Sequence, residues 1–156
     1  MISPHPARTP SREAEILRFQ RTALLVLHRS YRPRFELLAR MRGELRAGLL
    51  LAGLPEETIE RCVLVADELL ANAIKASRPG EDEIDVLVHH TADGDLLLEV
   101  YDTSPDQADE TRAMPHRDEE SGRGLPLCDL LCKSPVEQFP LDDGKVTVAV
   151  LAGRTN

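Results

Sequence analysis

The sequence predicts an α/β (α+β) two-layer sandwich, with helices packed on one face of a mixed, mostly antiparallel sheet. Two long segments carry apolar residues every three or four positions, which is typical of amphipathic helices. Several shorter segments have the composition and alternation of strands, and glycine-containing turns join neighbouring ones into hairpins. Helices and antiparallel strands in this order favour a sheet that is covered by helices on one side.

The first third of the chain is predicted to contain a tail, an edge strand and a helix. Residues 1–14 are rich in proline and poor in apolar residues, so we expect a flexible tail, with a single domain over residues 15–153. The apolar stretch within residues 16–28 predicts an edge strand. Apolar residues recur at helical spacing from Pro33 to Ala52 and predict an amphipathic helix that Gly53 ends.

A second helix is predicted to begin at Pro55. Proline is favoured in the first turn of a helix, and the carboxylates of Glu56 and Glu57 complement the helix dipole there. Pro79-Gly80 is expected to end this helix. Its predicted core stripe consists of Ile59, Cys62, Ala66, Leu69 and Ala73.

Two hairpins with a short helix between them are predicted for the rest of the chain. The first hairpin pairs Glu83–His90, with Ile84, Val86 and Val88 on one face, with Leu96–Asp102. A polar loop over Thr103–Ser121 leads into a helix that ends near Cys132. The second hairpin pairs Val136–Leu141 with Lys145–Leu151 through a turn at residues 142–144.

The composition argues against several classes of function. The chain of 156 residues has a formal net charge of −8 and only 3% aromatic residues, whereas a nucleic-acid surface needs a basic stripe, usually with stacking side chains. Its longest apolar runs are far shorter than the roughly 20 residues that cross a bilayer. The N-terminus lacks the pattern of a secretory signal. We therefore expect a cytoplasmic protein without direct contact to nucleic acid or membrane.

The three cysteines lie inside apolar helical patterns, which indicates reduced core thiols. Cys128 and Cys132 are one helical turn apart and could in principle hold a metal ion. No further cysteine or histidine pair stands beside them at ligand spacing, and structural metal sites need four ligands. Buried thiols are the favoured interpretation.

Polar residues stand at two places where a site could form. In ADELLANAIKAS (residues 66–77), Glu68 and Asn72 are four residues apart and share one face of the helix. A carboxylate beside an amide can orient a hydroxyl group and hold a hard cation, although a solvated polar face has the same pattern. Asp102 ends the strand LLLEVYD, where it could be held rigidly beside a pocket or could simply begin a turn.

A third place is the stretch ESGRGLPL (residues 120–127), in which Gly122 and Gly124 flank Arg123 directly before a helix. The first backbone N–H groups of a helix have no partner within it, and glycines let an anion approach them closely. Arg123 would supply a counter-charge. Glycine before a helix also occurs in ordinary turns, so this motif alone does not identify an anion-binding site.

Taken in order, these motifs resemble the GHKL ATPase superfamily, whose members have the Bergerat ATP-binding fold. ADELLANAIKAS, VYDTSP and ESGRGLPL are similar to the motifs of small bacterial anti-sigma-factor serine kinases, and the resemblance covers about residues 16–152. It implies that the protein binds ATP and Mg²⁺. Asn72 would hold Mg²⁺ against the phosphates, Glu68 would activate a protein hydroxyl or a water, and Asp102 would accept a hydrogen bond from the exocyclic amine of adenine.

The same resemblance implies that Gly122, Arg123 and Gly124 belong to a lid over the phosphates, formed by the loop Thr103–Ser121. The chain also departs from the family. No glycine follows Asp102 where the superfamily usually has D-x-G-x-G, and the histidine expected shortly after Asn72 is absent. Residues 143–147 are similar to the family's last glycine-containing motif, without showing which residue replaces its threonine.

Two functions are compatible with these residues. The first is an ATP-dependent serine/threonine protein kinase that phosphorylates an anti-sigma-factor antagonist and, in another state, sequesters a sigma factor. The second is a degenerate, non-catalytic Bergerat-fold module that regulates a partner by contact. The enzyme is favoured by Glu68, Asn72, Asp102, Gly122 and Gly124. The absence of glycines after Asp102 and the many acidic residues of the lid favour the module. Relatives commonly dimerise, so a homodimer is a further expectation.

Overall fold

In the computed structural model, five strands form one sheet and two long helices pack on one of its faces. The structure describes residues 24–77, 83–103 and 126–153, and every structural statement below refers to these ranges. The elements are β1 (Leu24–Tyr31), α1 (Leu37–Leu51), α2 (Glu56–Ala76), β2 (Ile84–His90), β3 (Leu96–Asp102), a helical segment α3 over residues 126–131, β4 (Glu137–Leu141) and β5 (Gly144–Leu151).

The strand order in the sheet is β1-β2-β3-β5-β4, and each neighbouring pair is antiparallel. The predicted fold class is therefore confirmed, and every pairing among the described strands is antiparallel. β1 lies at one edge, as predicted from the apolar stretch within residues 16–28, and its described residues, Leu24–Tyr31, extend beyond the end of that stretch. Residues 16–23, the whole predicted tail over residues 1–14, and all of the predicted lid except Thr103 lie outside the described ranges.

α1 begins later than the apolar pattern predicts, at Leu37 rather than Pro33. The preceding residues form tight turns, in which the N–H of Leu37 donates to the carbonyl of Arg34, and Phe35 is half exposed. The helix ends at Gly53 as predicted. Gly53 has a φ of +79°, and its N–H donates to Leu50 while that of Leu54 donates to Leu49. This pair of bonds is a Schellman motif, which needs the left-handed conformation that glycine adopts most easily.

α2 begins directly after Pro55, as predicted, and its five predicted stripe residues are all buried. Near its first turn, the hydroxyl group of Thr58 donates a buried hydrogen bond of 2.8 Å to the carbonyl oxygen of Gly153. This bond ties the N-terminal end of α2 to the chain just beyond β5. The helix then extends over the sheet, where it packs against β2, β3 and β5.

The main core lies between the sheet and the helices. The helix-facing side of the sheet contributes Val86, Val88, Leu98, Val100 and Ala149, all of which are buried. The predicted inward-facing set Ile84, Val86 and Val88 is confirmed by this arrangement. A smaller cluster built on Tyr101, Leu141 and Val146 lies on the opposite face of the sheet.

Both long helices are amphipathic rather than apolar on all sides. α1 buries Met41, Leu45 and Leu49, whereas its Leu50 and Leu51 are exposed. Within residues 24–77, 83–103 and 126–153, none of the helices combines the length and the apolar character that crossing a membrane requires.

Replacing Leu70 by alanine is expected to lower the free energy of unfolding by about 2–5 kcal/mol, because the buried leucine would leave a cavity. The matched control is Leu64→Ala on the same helix, since Leu70 is 0% exposed and Leu64 is 59% exposed. The change in helix propensity is shared by both variants, and the control is expected to shift stability by less than about 0.5 kcal/mol. Urea denaturation measures the free energy of unfolding of both variants. Equal losses of stability would contradict the described packing of α2.

Candidate functional site

A buried ion pair joins the end of β3 to the start of β5. Asp102 and Lys145 occupy opposite positions in these neighbouring strands, and their residues are 3% and 8% exposed. The Nζ of Lys145 donates to Oδ1 of Asp102 over 3.1 Å. Asp102 is thus held as a strand residue, and beginning a turn is not its main structural role.

Strand alternation places this pair on the helix-facing side of the sheet. Asp102 follows the buried core residue Val100 at a spacing of two, and Lys145 precedes Ala149 at a spacing of four, so all four side chains share one face. Taking a carboxylate and an ammonium group out of water costs several kcal/mol per ion unless each has a partner. The two buried charges therefore depend on each other.

Gly144 allows the two strands to meet at this point. It has a φ of +150°, and a Cβ atom built there would overlap the backbone carbonyl oxygen of Asp102. Any other residue would push the β4–β5 turn away from the end of β3. The predicted turn at residues 142–144 is confirmed, and its glycine sets the position of Lys145 opposite Asp102.

Thr147 lies two residues further along β5, on the same face as Lys145. It is buried and pairs in register with Val100, and its hydroxyl oxygen accepts a 3.0 Å hydrogen bond from the Nε2 of Gln138. The sequence left open which residue replaces the threonine of the family's last motif. In the structure Lys145, not Thr147, stands directly across from Asp102.

Glu68 and Asn72 lie one turn apart on α2, and both are half-buried. The charge of Glu68 is one of the causes that raise the pKa of the Cys128 thiol in α3. Burial is the largest cause of that shift, which takes the pKa to about 12, followed by the charges of Cys132, Glu68 and Asp129.

The rise of α2 from Thr58 to Asn72 is comparable with the length of β5. From its anchor at Thr58, the helix rises about 21 Å to Asn72, and the strand from Gly153 back to Lys145 covers about 26 Å. The helix and the strand are joined at these ends by the hydrogen bond between Thr58 and Gly153. α2 also packs against both β3 and β5, the strands that carry Asp102 and Lys145.

Gly122, Arg123 and Gly124 lie outside the described residues, as do residues 104–121 of the predicted lid. Their proposed contacts with phosphates stay predictions. The structure thus describes Glu68, Asn72 and Asp102, and it adds Lys145, which the sequence analysis did not assign to the site.

The sequence contained an indication that Lys145 could belong to the site. It is the one charged residue of the strand GKVTVAVL, and it occupies a position that alternates with buried residues. A buried lysine requires an anionic partner. Knowing the register between β3 and β5 was needed to identify Asp102 as that partner.

A second polar group was also missed, on the face of the sheet away from the helices. Glu99 is 0% exposed, accepts a 3.0 Å hydrogen bond from the Tyr101 hydroxyl and lies 3.4 Å from Nδ1 of His89. Burial lowers the pKa of His89. This group lies on the opposite side of the sheet from Asp102 and Lys145, because its residues alternate with theirs along the strands.

Cysteines and acids do not assemble into a metal centre in the described part of the chain. Within those residues, no group of three or more His, Cys, Asp or Glu side chains could hold a metal ion. Cys62 and Cys128 are buried free thiols and Cys132 is partly buried. The preference for core thiols over a metal pair is consistent with this environment.

Comparison with known proteins identifies the family. The model of the histidine kinase-like ATPase domain matches residues 31–148, and the chain belongs to this family. The resemblance to the GHKL superfamily is thereby confirmed. A comparison with curated proteins finds no significant match.

Two solved structures have a similar fold. One is the crystal structure of the RsbU and RsbW domains of a Mycobacterium tuberculosis protein, with a TM-score of 0.61 and 18% identity over 81% of this chain, which spans 32% of that one. The other is the SiaB–SiaC complex from Pseudomonas aeruginosa, with a TM-score of 0.61 and 15% identity, covering 91% of this chain and 98% of that one. At these identities the likeness describes the fold alone.

The three thiols are expected to be unreactive in the folded protein. Burial is the main cause that raises their pKa values, to about 12 for Cys62 and Cys128 and about 11 for Cys132. At about pH 8, a thiol reagent should therefore react slowly with the native protein and rapidly in denaturant, because the thiolate is the reactive form. Rapid labelling of native Cys62 would contradict the described core.

The same shifts set a pH dependence of stability. Above the ordinary thiol pKa of 9.0, the unfolded chain loses thiol protons that the folded chain retains. The free energy of unfolding should therefore fall as the pH rises from about 9 toward the folded values. Urea titrations across this range should show a shallower fall for Cys62→Ala than for the wild type.

Proposed function

We propose that the protein is an ATP-binding regulator that phosphorylates a serine or threonine of a partner protein. Membership of the histidine kinase-like ATPase family supports an ATP ligand. The observation that carries the proposal is the buried carboxylate of Asp102 on the helix-facing side of the sheet, beneath the helix that bears Glu68 and Asn72.

Asp102 is suited to bind the adenine base of ATP. Its carboxylate is held rigidly at a strand end by Lys145 and by the close approach of Gly144. A carboxylate accepts hydrogen bonds and cannot donate them. It would thus accept from the exocyclic amine of adenine, and its burial would strengthen that bond relative to one in water.

Asn72 and Glu68 fit the phosphate end of the ligand. When bound, ATP with Mg²⁺ would supply the transferable phosphoryl group. Asn72 would offer its amide oxygen to Mg²⁺, which prefers oxygen ligands. Glu68 would take the proton of the partner's hydroxyl group, and Gly122, Arg123 and Gly124 would contact the phosphates at the start of the following helix.

For the partner, we propose an anti-sigma-factor antagonist, with sequestration of a sigma factor as a second activity. The fold is shared with one chain of the SiaB–SiaC complex and with part of a chain that carries RsbU and RsbW domains. The partner would act in the cytoplasm, and a homodimer of this chain would be the binding unit.

The alternative is a non-catalytic module that regulates its partner by contact. It is favoured by one observation: one carboxylate oxygen of Asp102 already accepts a hydrogen bond from Lys145. If that contact closes the adenine site, no nucleotide would bind and the fold would serve only as a binding surface.

Incubation with labelled ATP, Mg²⁺ and candidate antagonist proteins from the same genome separates the two. Transfer of the label to a serine or threonine of the partner supports the kinase. Binding of the partner without transfer, under all Mg²⁺ conditions, supports the contact module.

The Asp102→Asn variant is expected to weaken ATP binding by about 1.5–3 kcal/mol, the usual range for a hydrogen bond to a charged group. Titration calorimetry measures the affinity, and thermal denaturation verifies that the variant is folded. Asp93→Asn, at an exposed position of the β2–β3 turn, is the matched control and should leave the affinity unchanged. An unaltered affinity in folded Asp102→Asn would remove Asp102 from the adenine site.

The Glu68→Ala variant is expected to reduce phosphorylation of the partner by a factor of about 10² to 10⁴, the usual contribution of a general base. ATP and partner affinities should stay near those of the wild type, because phosphoryl transfer depends on the base mainly in the transition state. Glu60→Ala, on the same helix at an exposed position, is the control. A wild-type rate in Glu68→Ala would assign the base to another residue.

A further inference from the structure

We propose that Lys145 reads the nucleotide base together with Asp102, as a specificity-determining residue. This inference rests on the proposed ATP binding. The ammonium group of Lys145 would donate a hydrogen bond to N1 of adenine, the acceptor that neighbours the exocyclic amine. Asp102 and Lys145 would then contact two adjacent atoms on the same edge of the base.

The positions of the two charged groups match such an edge. The carboxylate of Asp102 is an acceptor and the ammonium of Lys145 is a donor, and they lie 3.1 Å apart. The Watson–Crick edge of adenine presents the complementary order, a donor amine beside an acceptor nitrogen. Proteins that select bases in pockets read this edge by such hydrogen bonds.

Lys145 can serve Asp102 and a ligand at the same time. An ammonium group carries three N–H donors, and donating to Oδ1 of Asp102 uses one of them. The lysine side chain is 10% exposed and that of Asp102 is 1% exposed. Hydrogen bonds from a buried ammonium group are stronger than the same bonds in water, so the contact would contribute to affinity.

The pair also suits a neutral base. Asp102 and Lys145 together carry no net charge, so covering them with a base would not leave an uncompensated buried charge. The positions are fixed before binding, because Gly144 brings the start of β5 against the end of β3 and the strand register sets the two residues opposite each other. Preorganisation of this kind lowers the entropic cost of binding.

The test compares ATP with 1-deaza-ATP, in which a C–H group replaces the N1 acceptor. The wild type should bind ATP about 10- to 100-fold more tightly than 1-deaza-ATP, the range for one hydrogen bond from a charged donor. Lys145→Met should bind both nucleotides equally, and at the affinity of the wild type for 1-deaza-ATP or below. Lys133→Met, which removes a lysine from the exposed pair with Asp95, should retain the wild-type preference.

The outcomes distinguish this inference from the proposed function. Equal binding of ATP and 1-deaza-ATP by the wild type overturns the role of Lys145 while leaving ATP binding intact, and this measurement needs no variant to fold. A preference that persists in Lys145→Met, or tighter ATP binding in that variant, also overturns it. Failure of the wild type to bind ATP at all overturns the proposed function as well.

Discussion

The packing of α2 on the antiparallel sheet is the constraint on which the rest of the structure depends. Its apolar face supplies much of the core, and the sheet meets it with a continuous apolar surface from β2, β3 and β5. Side chains alternate between the two faces of a strand, so a slip of one residue would exchange the buried and outer sets. The same packing that stabilises the fold therefore decides that Asp102 and Lys145 face α2.

The charged residues at the end of β3 and the start of β5 are important for stability and are also the proposed contacts to the ligand. Removing either member of a buried ion pair strongly destabilises a protein. Each member of this pair is also suited to contact a ligand. The enzyme and the contact module differ in what Lys145 does. A lysine that shares Asp102 with a base belongs to a working nucleotide site, whereas a lysine that occupies Asp102 permanently leaves the fold without one.

The opposite face of the sheet has its own buried carboxylate, with different partners. Glu99 lies near His89 and the Tyr101 hydroxyl, and burial lowers the pKa of His89. Asp102 instead has a lysine partner, Lys145, in the neighbouring strand. The sheet thus holds a carboxylate–lysine pair on the side of the helices and a carboxylate beside a histidine on the other side.

The sequence by itself determined the fold class, the order of the elements and the faces of α2. The stripe from Ile59 to Ala73 and the ends at Gly53 and Pro55 follow from local periodicity and local backbone preference, which act within a few residues. It missed the start of α1, because the apolar spacing continues through Phe35, whereas the residues before Leu37 form locally hydrogen-bonded turns. It also supplied Glu68, Asn72 and Asp102 as candidates, since each stands in a recognisable local motif. Only the tertiary structure decided that Lys145 faces Asp102 and that Gly144 must approach the backbone of β3. These are contacts between residues distant along the chain, and strand register and packing, which no local pattern encodes, determine them.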